Sequence, residues 1–541
     1  MKINSSIKRK LKRGSLGLAM TIAVIALIIG INYLITSLES SVSTQINLDD
    51  KGYYDISDAS HTAFAALPEG SFDAQIIFLT QRDILASTSN ESIRMIWNLA
   101  EEYGRQFPDN ISVIYKDLDK DVAFVKQYMN ETRTTLSKTQ VIIQGKYHAR
   151  VLSFNAFFTT DQSTGSIATF RGELRFTAAI LQSCMEKQPL ALFSVNHGET
   201  FMSTVSSSGI DIKGFDKDDD TLKESYITSV PLLEILSVAG FDVGTIDLSK
   251  EEIPEDATAL FISSPITDLE GIDPANPNGR TEADKISEFV DKYNSLVVIV
   301  GKDTPALPNL SELLWEEYNM GYEAGEVIAD MSNSVAGGDG NTVGEDYTYD
   351  GFSVLGQFSG ADNSFASSIY NSLSASYKFV FRNAVRLKQN DDRGGDEASI
   401  STFSTAKAYA NGKEVAKGEF PLLLSYATSN DAKADYSTGI GEATLYKKVF
   451  LIASSEFLTP EFASVSYGNR ELLLGMSRVM ISEQKYAKGI GEINVVVEDK
   501  TLSAEKLTSG QAYRYLRISV IWLPLAIMAA GLIVWLKRRH A

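Results

Sequence analysis

At 541 residues, 44% hydrophobic and 22% charged, the chain has material for about three or four folded domains, which excludes wholesale disorder. The net charge is −19, and setting aside six N-terminal and three C-terminal cations leaves −28 between them. So acidic a body argues against nucleic-acid binding, and the lone Cys184 excludes an internal disulfide and any cysteine-based metal site.

The first element is Leu16–Leu38, 23 positions without a charge. As a helix it spans about 34 Å, enough to cross a hydrocarbon core. Lys2, Lys8, Arg9, Lys10, Lys12 and Arg13 precede it and Glu39, Asp49 and Asp50 follow, which places the N-terminus in the cytoplasm. A secretory signal peptide would have a shorter apolar core and a small-residue cleavage site. Ala19, Ala23, Ala26 and Gly30 follow 4-3-4 spacing and form a seam of small residues suited to helix packing.

A polar spacer follows, then YYDISDASHTAFAAL, where Ser57 or Asp58 is expected to cap a short helix through Leu67. Strands are expected at Asp73–Thr80 and Asn110–Lys116, helices at Asn90–Phe107 and Asp119–Met129, and a hairpin at Val141–Gln144 and Tyr147–Ser153. The order β-α-β-α-β-β outlines a thioredoxin-like mixed-sheet unit over 39–170. It has no Cys-x-x-Cys and therefore no dithiol redox chemistry.

The second unit, 171–330, opens with a helix at Gly172–Met185 carrying Cys184, read as buried filler. Strands at Leu190–Val195, Phe241–Leu248, Ala259–Ser263 and Leu296–Gly301 alternate with helices at Tyr226–Val238, Thr281–Tyr293 and Leu310–Tyr318. That alternation predicts a mainly parallel sheet. Thr281 and Asp284 have capping-box spacing, and LVVIVG suits a central strand buried on both faces.

From Met331 a C-terminal α/β extension, 331–515, carries Gly- and Asp-rich loops. A helix is expected at Ser364–Leu373 and strands at Tyr377–Leu387, Thr402–Ala410, Phe420–Ala427 and Lys447–Ala453. A further helix, Gly468–Met480, points Leu472, Leu473, Met476 and Val479 inward. A second span, 516–536, contains the uncharged Ile518–Leu536 and offers Ala526 and Ala530 as a similar small-residue face. Basic segments 1–15 and 537–541 lie outside the two spans, so both termini are expected in the cytoplasm and the body outside it.

The candidate chemistry is sparse. His197 and Glu199, in Asn196-His197-Gly198-Glu199-Thr200, sit where a parallel strand ends, the usual place for an α/β site. They could form an acid/base pair or half a metal site. His61, His148 and His540 have no ligand-type spacing to His197, so a structural turn built on Gly198 is the favoured reading. Asp216, Asp218 and Asp220 open a calcium-loop pattern that fails at Thr221 and Ile227 and reads as a solvated acidic loop. No phosphate loop, G-x-S-x-G, H-E-x-x-H or G-x-G-x-x-G occurs, and no cofactor is expected.

The order of several stretches resembles the GldG-like family, membrane auxiliary proteins of gliding-motility-type ABC transport systems. They include KDLDKDVAFVKQYM, RGELRFTAAIL, SVNHGET, IPEDATALFISSP, KISEFVDKYNSLVVIVGKDTPALPNLSELL and SSEFLTPEFASVSYGNRELLLGMSRVM. The closing LTSGQAYRYLRISVIWLPLAIMAAGLIVWLKRR is similar too. Where the family has Gly-Gly before its central strand and Asp-Pro after it, this chain has Asn294-Ser295 and Gly301-Lys302-Asp303, so no ligand role carries over to that loop. The resemblance implies a glutamine-amidotransferase-like middle unit without a catalytic cysteine. It also implies a non-catalytic partner of a separate ATP-binding subunit and an ABC permease subunit in the cell (inner) membrane. Two rivals stand beside it: an anchored extracytoplasmic hydrolase using His197 and Glu199, and a structural or sensor envelope protein without a transporter.

Overall fold

The computed structural model describes residues 52–129, 135–160, 167–199, 212–213, 230–272, 279–335, 352–360, 366, 369, 378–390, 396–429, 446–459, 462, 467–481 and 500–501. The chain divides into two compact units, Met1–Tyr54 and Asp55–Ala541, and nearly every described residue belongs to the second. Both apolar stretches, the seam residues Ala19, Ala23, Ala26, Gly30, Ala526 and Ala530, and the acidic trio Asp216, Asp218 and Asp220 lie outside the described residues. Among the described residues no helix is long and apolar enough to cross a membrane. The protein is mixed α/β.

Helix α1 (Asp58–Ala65) leads to β1 (Ala74–Phe78), the short α2 (Arg82–Ala86), α3 (Glu91–Gln106) and β2 (Ile111–Tyr115). Then come α4 (Val122–Lys126), β3 (Gln140–Gly145) and β4 (Ala149–Ser153). The four strands lie in the order β2-β1-β3-β4, with β1 parallel to β2 and antiparallel to β3. Asn90 caps α3 by accepting from the Ile93 amide, and Met95, Ile96, Trp97, Leu99, Ala100 and Tyr103 form its buried stripe. The helix expected over Asp119–Met129 is only the five residues of α4; Val125 is buried in the core cluster with Ile77 and Ile142, and Phe124, Tyr128 and Met129 pack against that cluster from the helix and from the turn that follows it.

Strands β5 (Phe158–Thr160) and β6 (Ile167–Phe170) precede α5 (Gly172–Cys184), every residue of which is buried. Helix α5 packs against α1, α3 and β3, and then hands over to the large sheet. Among the described residues that sheet has ten strands. Six are parallel, beginning with β7 (Leu190–Ser194), β8 (Ile212–Lys213) and β9 (Asp242–Ile246), the last two separated by α6 (Val230–Val238). Next come β10 (Ala257–Ser263), α7 (Glu282–Asp291), β11 (Ser295–Ile299) and α8 (Pro308–Tyr318). Strand β11 is buried along its whole length, as a central strand covered on both faces must be. The Thr281–Asp284 capping box of α7 is complete.

The chain then builds β12 (Met320–Ala329), β13 (Ser353–Phe358), β14 (Phe379–Arg382), β15 (Val385–Gln389), β16 (Asp396–Ser401), β17 (Lys407–Ala410), β18 (Lys413–Lys417), β19 (Pro421–Ser429) and β20 (Tyr446–Ile452). The large sheet runs β14-β13-β16-β19-β20-β11-β10-β7-β9-β8, and β15-β12-β17-β18 make a separate four-stranded sheet. Strand β20 pairs in parallel with β11, so the expected division at residue 330/331 is not a sheet boundary. The C-terminal region completes the sheet of the preceding unit because β11 would otherwise expose an apolar edge. The single strand expected at Tyr377–Leu387 is two strands in different sheets, broken at Asn383, whose φ of 53° turns the chain from one sheet to the other.

Helix α9 (Asn469–Met480) buries Leu472, Leu473, Met476 and Val479. The buried Lys448 of β20 donates to the Val479 and Met480 carbonyls, a cation at the negative end of α9. The last described strand, β21 (Lys500–Thr501), returns to pair antiparallel with β6.

Candidate functional site

Strand β7 runs directly into the Asn196–Glu199 motif. From β7 the sheet extends through β9 and β8 on one side and through β10 and β11 on the other. The gap between the carboxyl ends of β7 and β10 is therefore the topological switch point, where ligands of open α/β sheets bind. Ser194, Asn196, His197, Gly198 and Glu199 lie there, with the β10 exit loop opposite.

A buried clasp fills the position. His197, Glu199 and Glu282 are each about 97–98% shielded from solvent. His197 Nδ1 lies 2.9 Å from Glu199 Oε1, and Nε2 lies 2.8 Å from Glu282 Oε2. The His197 amide donates to Glu199 Oε2 at 2.6 Å. Glu282 Oε2 also accepts from the Glu270 amide at 2.6 Å, and Oε1 accepts from Asn196 Nδ2 at 2.8 Å. Asn196 Oδ1 in turn accepts from the Leu248 amide at 3.0 Å and from Ser194 Oγ at 3.2 Å. The His197 carbonyl takes the Ile266 and Thr267 amides at 2.8 and 3.0 Å. One loop is thus tied to the exits of β9 and β10 and to the start of α7.

The chain reaches this geometry through Gly198, whose φ is +69°; a Cβ there would also come 2.8 Å from Ile266 Cγ1. Burial alone would discourage a charged imidazole. The Glu199 and Glu282 carboxylates outweigh it and push His197 up to about 9. Burial likewise disfavours the Glu282 carboxylate, yet hydrogen bonds from His197, the Glu270 amide and Asn196 hold it below its ordinary range. At neutral pH the arrangement is an imidazolium donating through both nitrogens to two glutamates.

That state decides what the site can do chemically. A protonated imidazole accepts no proton, so His197 is no general base near pH 7. Ser194 Oγ is 3.2 Å from Nδ1, the contact a nucleophile would make, but Ser194 is 1% exposed and Nδ1 already serves Glu199. Among the described residues no three His, Cys, Asp or Glu side chains have metal-holding geometry. Cys184 is buried in α5, where its Sγ contacts the Asp73 carbonyl, and burial pushes its thiol up, away from thiolate chemistry. His61 and His148 are elsewhere, bonded to Gln106 and the Glu186 carbonyl.

The structure brings together His197 and Glu199, which the sequence paired, and adds Glu282, 85 positions beyond His197. Sequence reasoning missed Glu282. Arg280-Thr281-Glu282-Ala283-Asp284 gives no hint of which acid turns inward, and the burial of Glu282 in the first turn of α7 appears only in the structure.

No family model matches the chain, and no curated protein matches it. Among solved structures, the one titled "mmIFT52 N-terminal domain" is similar over 52% of this chain and 93% of that chain, at 15% identity and a TM-score of 0.31. At that score the likeness bears on neither fold nor function.

Proposed function

We propose that the protein is a non-catalytic auxiliary subunit of an ABC-type transport system, a two-span membrane protein whose extracytoplasmic body handles substrate, scaffolds or couples to the envelope. Support comes from the uncharged stretches Leu16–Leu38 and Ile518–Leu536 with basic residues outside them, and from the ordered resemblance to the GldG-like family. The observation in the fold that supports it best is the clasp. Where an α/β enzyme keeps its reactive groups open to substrate, this chain has a buried ion triad with its acceptors occupied by internal donors.

Two finer fold readings go with it. The order β2-β1-β3-β4, with β1-α3-β2 parallel and β3-β4 antiparallel, suits a thioredoxin-like unit without its dithiol. The six parallel strands, with α6 leading into β9 and α7 into β11, suit a glutamine-amidotransferase-like unit whose nucleophile position has been given up. The rival hydrolase reading requires an unprotonated His197 and an open Ser194, and the geometry favours neither.

Purification from native membranes in mild detergent tests the proposal. An ATP-binding subunit and a permease are expected to co-purify; their absence from a folded, inserted preparation overturns the transporter assignment. The localisation, both termini cytoplasmic, is checked by introducing a cysteine into each tail and labelling it from each side of the membrane.

A further inference from the structure

The first described helix after the N-terminal apolar stretch and the last described strand before the C-terminal one attach to the same eleven residues, 167–177. Ser57, the N-cap of α1, makes no cap with its own side chain. Glu173 Oε1, from α5, accepts instead from the Ser57 amide and hydroxyl, both at 2.6 Å, and from Ser60 Oγ at 2.8 Å. Thr177, one turn along α5, bonds Ser60 Oγ at 2.8 Å and the Tyr103 hydroxyl at 2.6 Å. At the other end, β21 pairs with β6, setting Lys500 opposite Phe170 and Thr501 opposite Thr169. Strand β6 ends at Phe170 and α5 begins at Gly172.

The two attachments share a packed route. At Gly172 an added Cβ would lie 2.2 Å from the Phe170 ring and 2.5 Å from Leu99 Cδ2, so the ring of β6 rests directly on the first residue of α5. Phe170, Gly172 and Glu173 are all buried. A displacement of β6 by its partner β21 moves the Phe170 ring, and with it the backbone that carries Glu173. Close-packed interiors transmit such shifts rather than absorb them.

We propose that the β6–α5 junction, residues 167–177, is a shared fastening at which the chain arriving from the first apolar stretch and the chain leaving toward the second are held and energetically coupled. Its meaning as a joint between two membrane tethers rests on the two-span reading above. On that reading, 13 residues (39–51) separate the first span from the described chain that leads into α1, and 14 residues (502–515) separate β21 from the second span.

Hydrogen exchange on the full chain in lipid nanodiscs tests the coupling. The Lys500→Pro/Thr501→Pro variant removes the β21 amides and is expected to speed exchange at the Ser57–His61 amides on the order of fivefold or more. Linkage makes the effect reciprocal, so Glu173→Ala is expected to speed exchange at Thr169–Phe170 and Lys500–Thr501 by a similar factor. If Glu173→Ala does not fold, Ser57→Ala/Ser60→Ala strips two of Glu173's donors and faces the same reciprocal test. Unchanged exchange at the distant partner, with β7 and β10 still protected, overturns the fastening. Topology is read separately by labelling Ser6→Cys and Ala541→Cys from the cytoplasmic side. Loss of two-span topology with coupling intact overturns the membrane reading and leaves the fastening standing; loss of coupling with topology intact does the reverse.

Discussion

Replacing His197 by Gln removes the cation from the clasp and leaves Glu199 and Glu282 buried and facing a neutral amide. Breaking a buried ion pair from one side costs about 3–5 kcal/mol, because the remaining charge loses its compensation. The pH dependence gives a sharper number. His197 is raised from 6.5 to about 9, so its ion pairs stabilise the folded state fully below pH 6.5 and the contribution fades as pH rises through 9. The shift corresponds to about 3 kcal/mol. Urea unfolding of the purified chain at pH 6 and pH 9.5 measures it. The native protein is expected to lose about 3 kcal/mol between the two conditions. His197→Gln should start lower and lose much less over the same interval. Equal losses in the two proteins would show that His197 is not held charged by its carboxylates and would refute the clasp.

Glu282→Gln is expected to move the alkaline loss to lower pH, since one of the two carboxylates that raise His197 is gone; an imidazole NMR titration reads the displacement directly. On the acid side, Glu282 is depressed, so its contribution is present above the usual carboxylate pKa and lost as pH falls through the depressed value; the acid limb of the native protein should be flattened in the same variant. Gly198→Ala forces a side chain into the left-handed region and against Ile266, and should cost about 1–2 kcal/mol in thermal or urea unfolding. Lys448→Met keeps the buried stem but leaves the Val479 and Met480 carbonyls at the end of α9 without their ammonium donor; a loss of about 1–3 kcal/mol is expected on urea unfolding. Thr281→Ala removes the capping box of α7, with an expected loss of about 1 kcal/mol in the same assay.

Elements whose burial is periodic along the chain are legible in the amino-acid sequence. Helix α3 shows its stripe at helical spacing, β11 its unbroken apolar run, and α7 its capping box, because each signal is local and written in adjacent residues. Short elements are not. The exposed β18, with the pattern Lys413-Glu414-Val415-Ala416-Lys417, carries no buried face to mark it, and α4 ends after little more than a single turn although Tyr128 and Met129 beyond it still pack on the core. Tyr377–Leu387 reads as one strand because alternation does not reveal where Asn383 turns the chain into another sheet.

The candidate site divides in the same way. Sequence alone determines the motif Asn196-His197-Gly198-Glu199, its place after a parallel strand, the need for backbone freedom at Gly198, and the lack of a usable thiol, since these depend on residue type and short spacing. Only the tertiary structure decides that Glu282 completes the clasp, that β20 joins β11, and that Glu173 caps α1 from another helix. Each of those contacts joins residues far apart along the chain, 85 positions for His197 and Glu282 and 116 for Ser57 and Glu173. Their partners are selected by burial and hydrogen-bond satisfaction in three dimensions, and no periodicity along the chain encodes that choice.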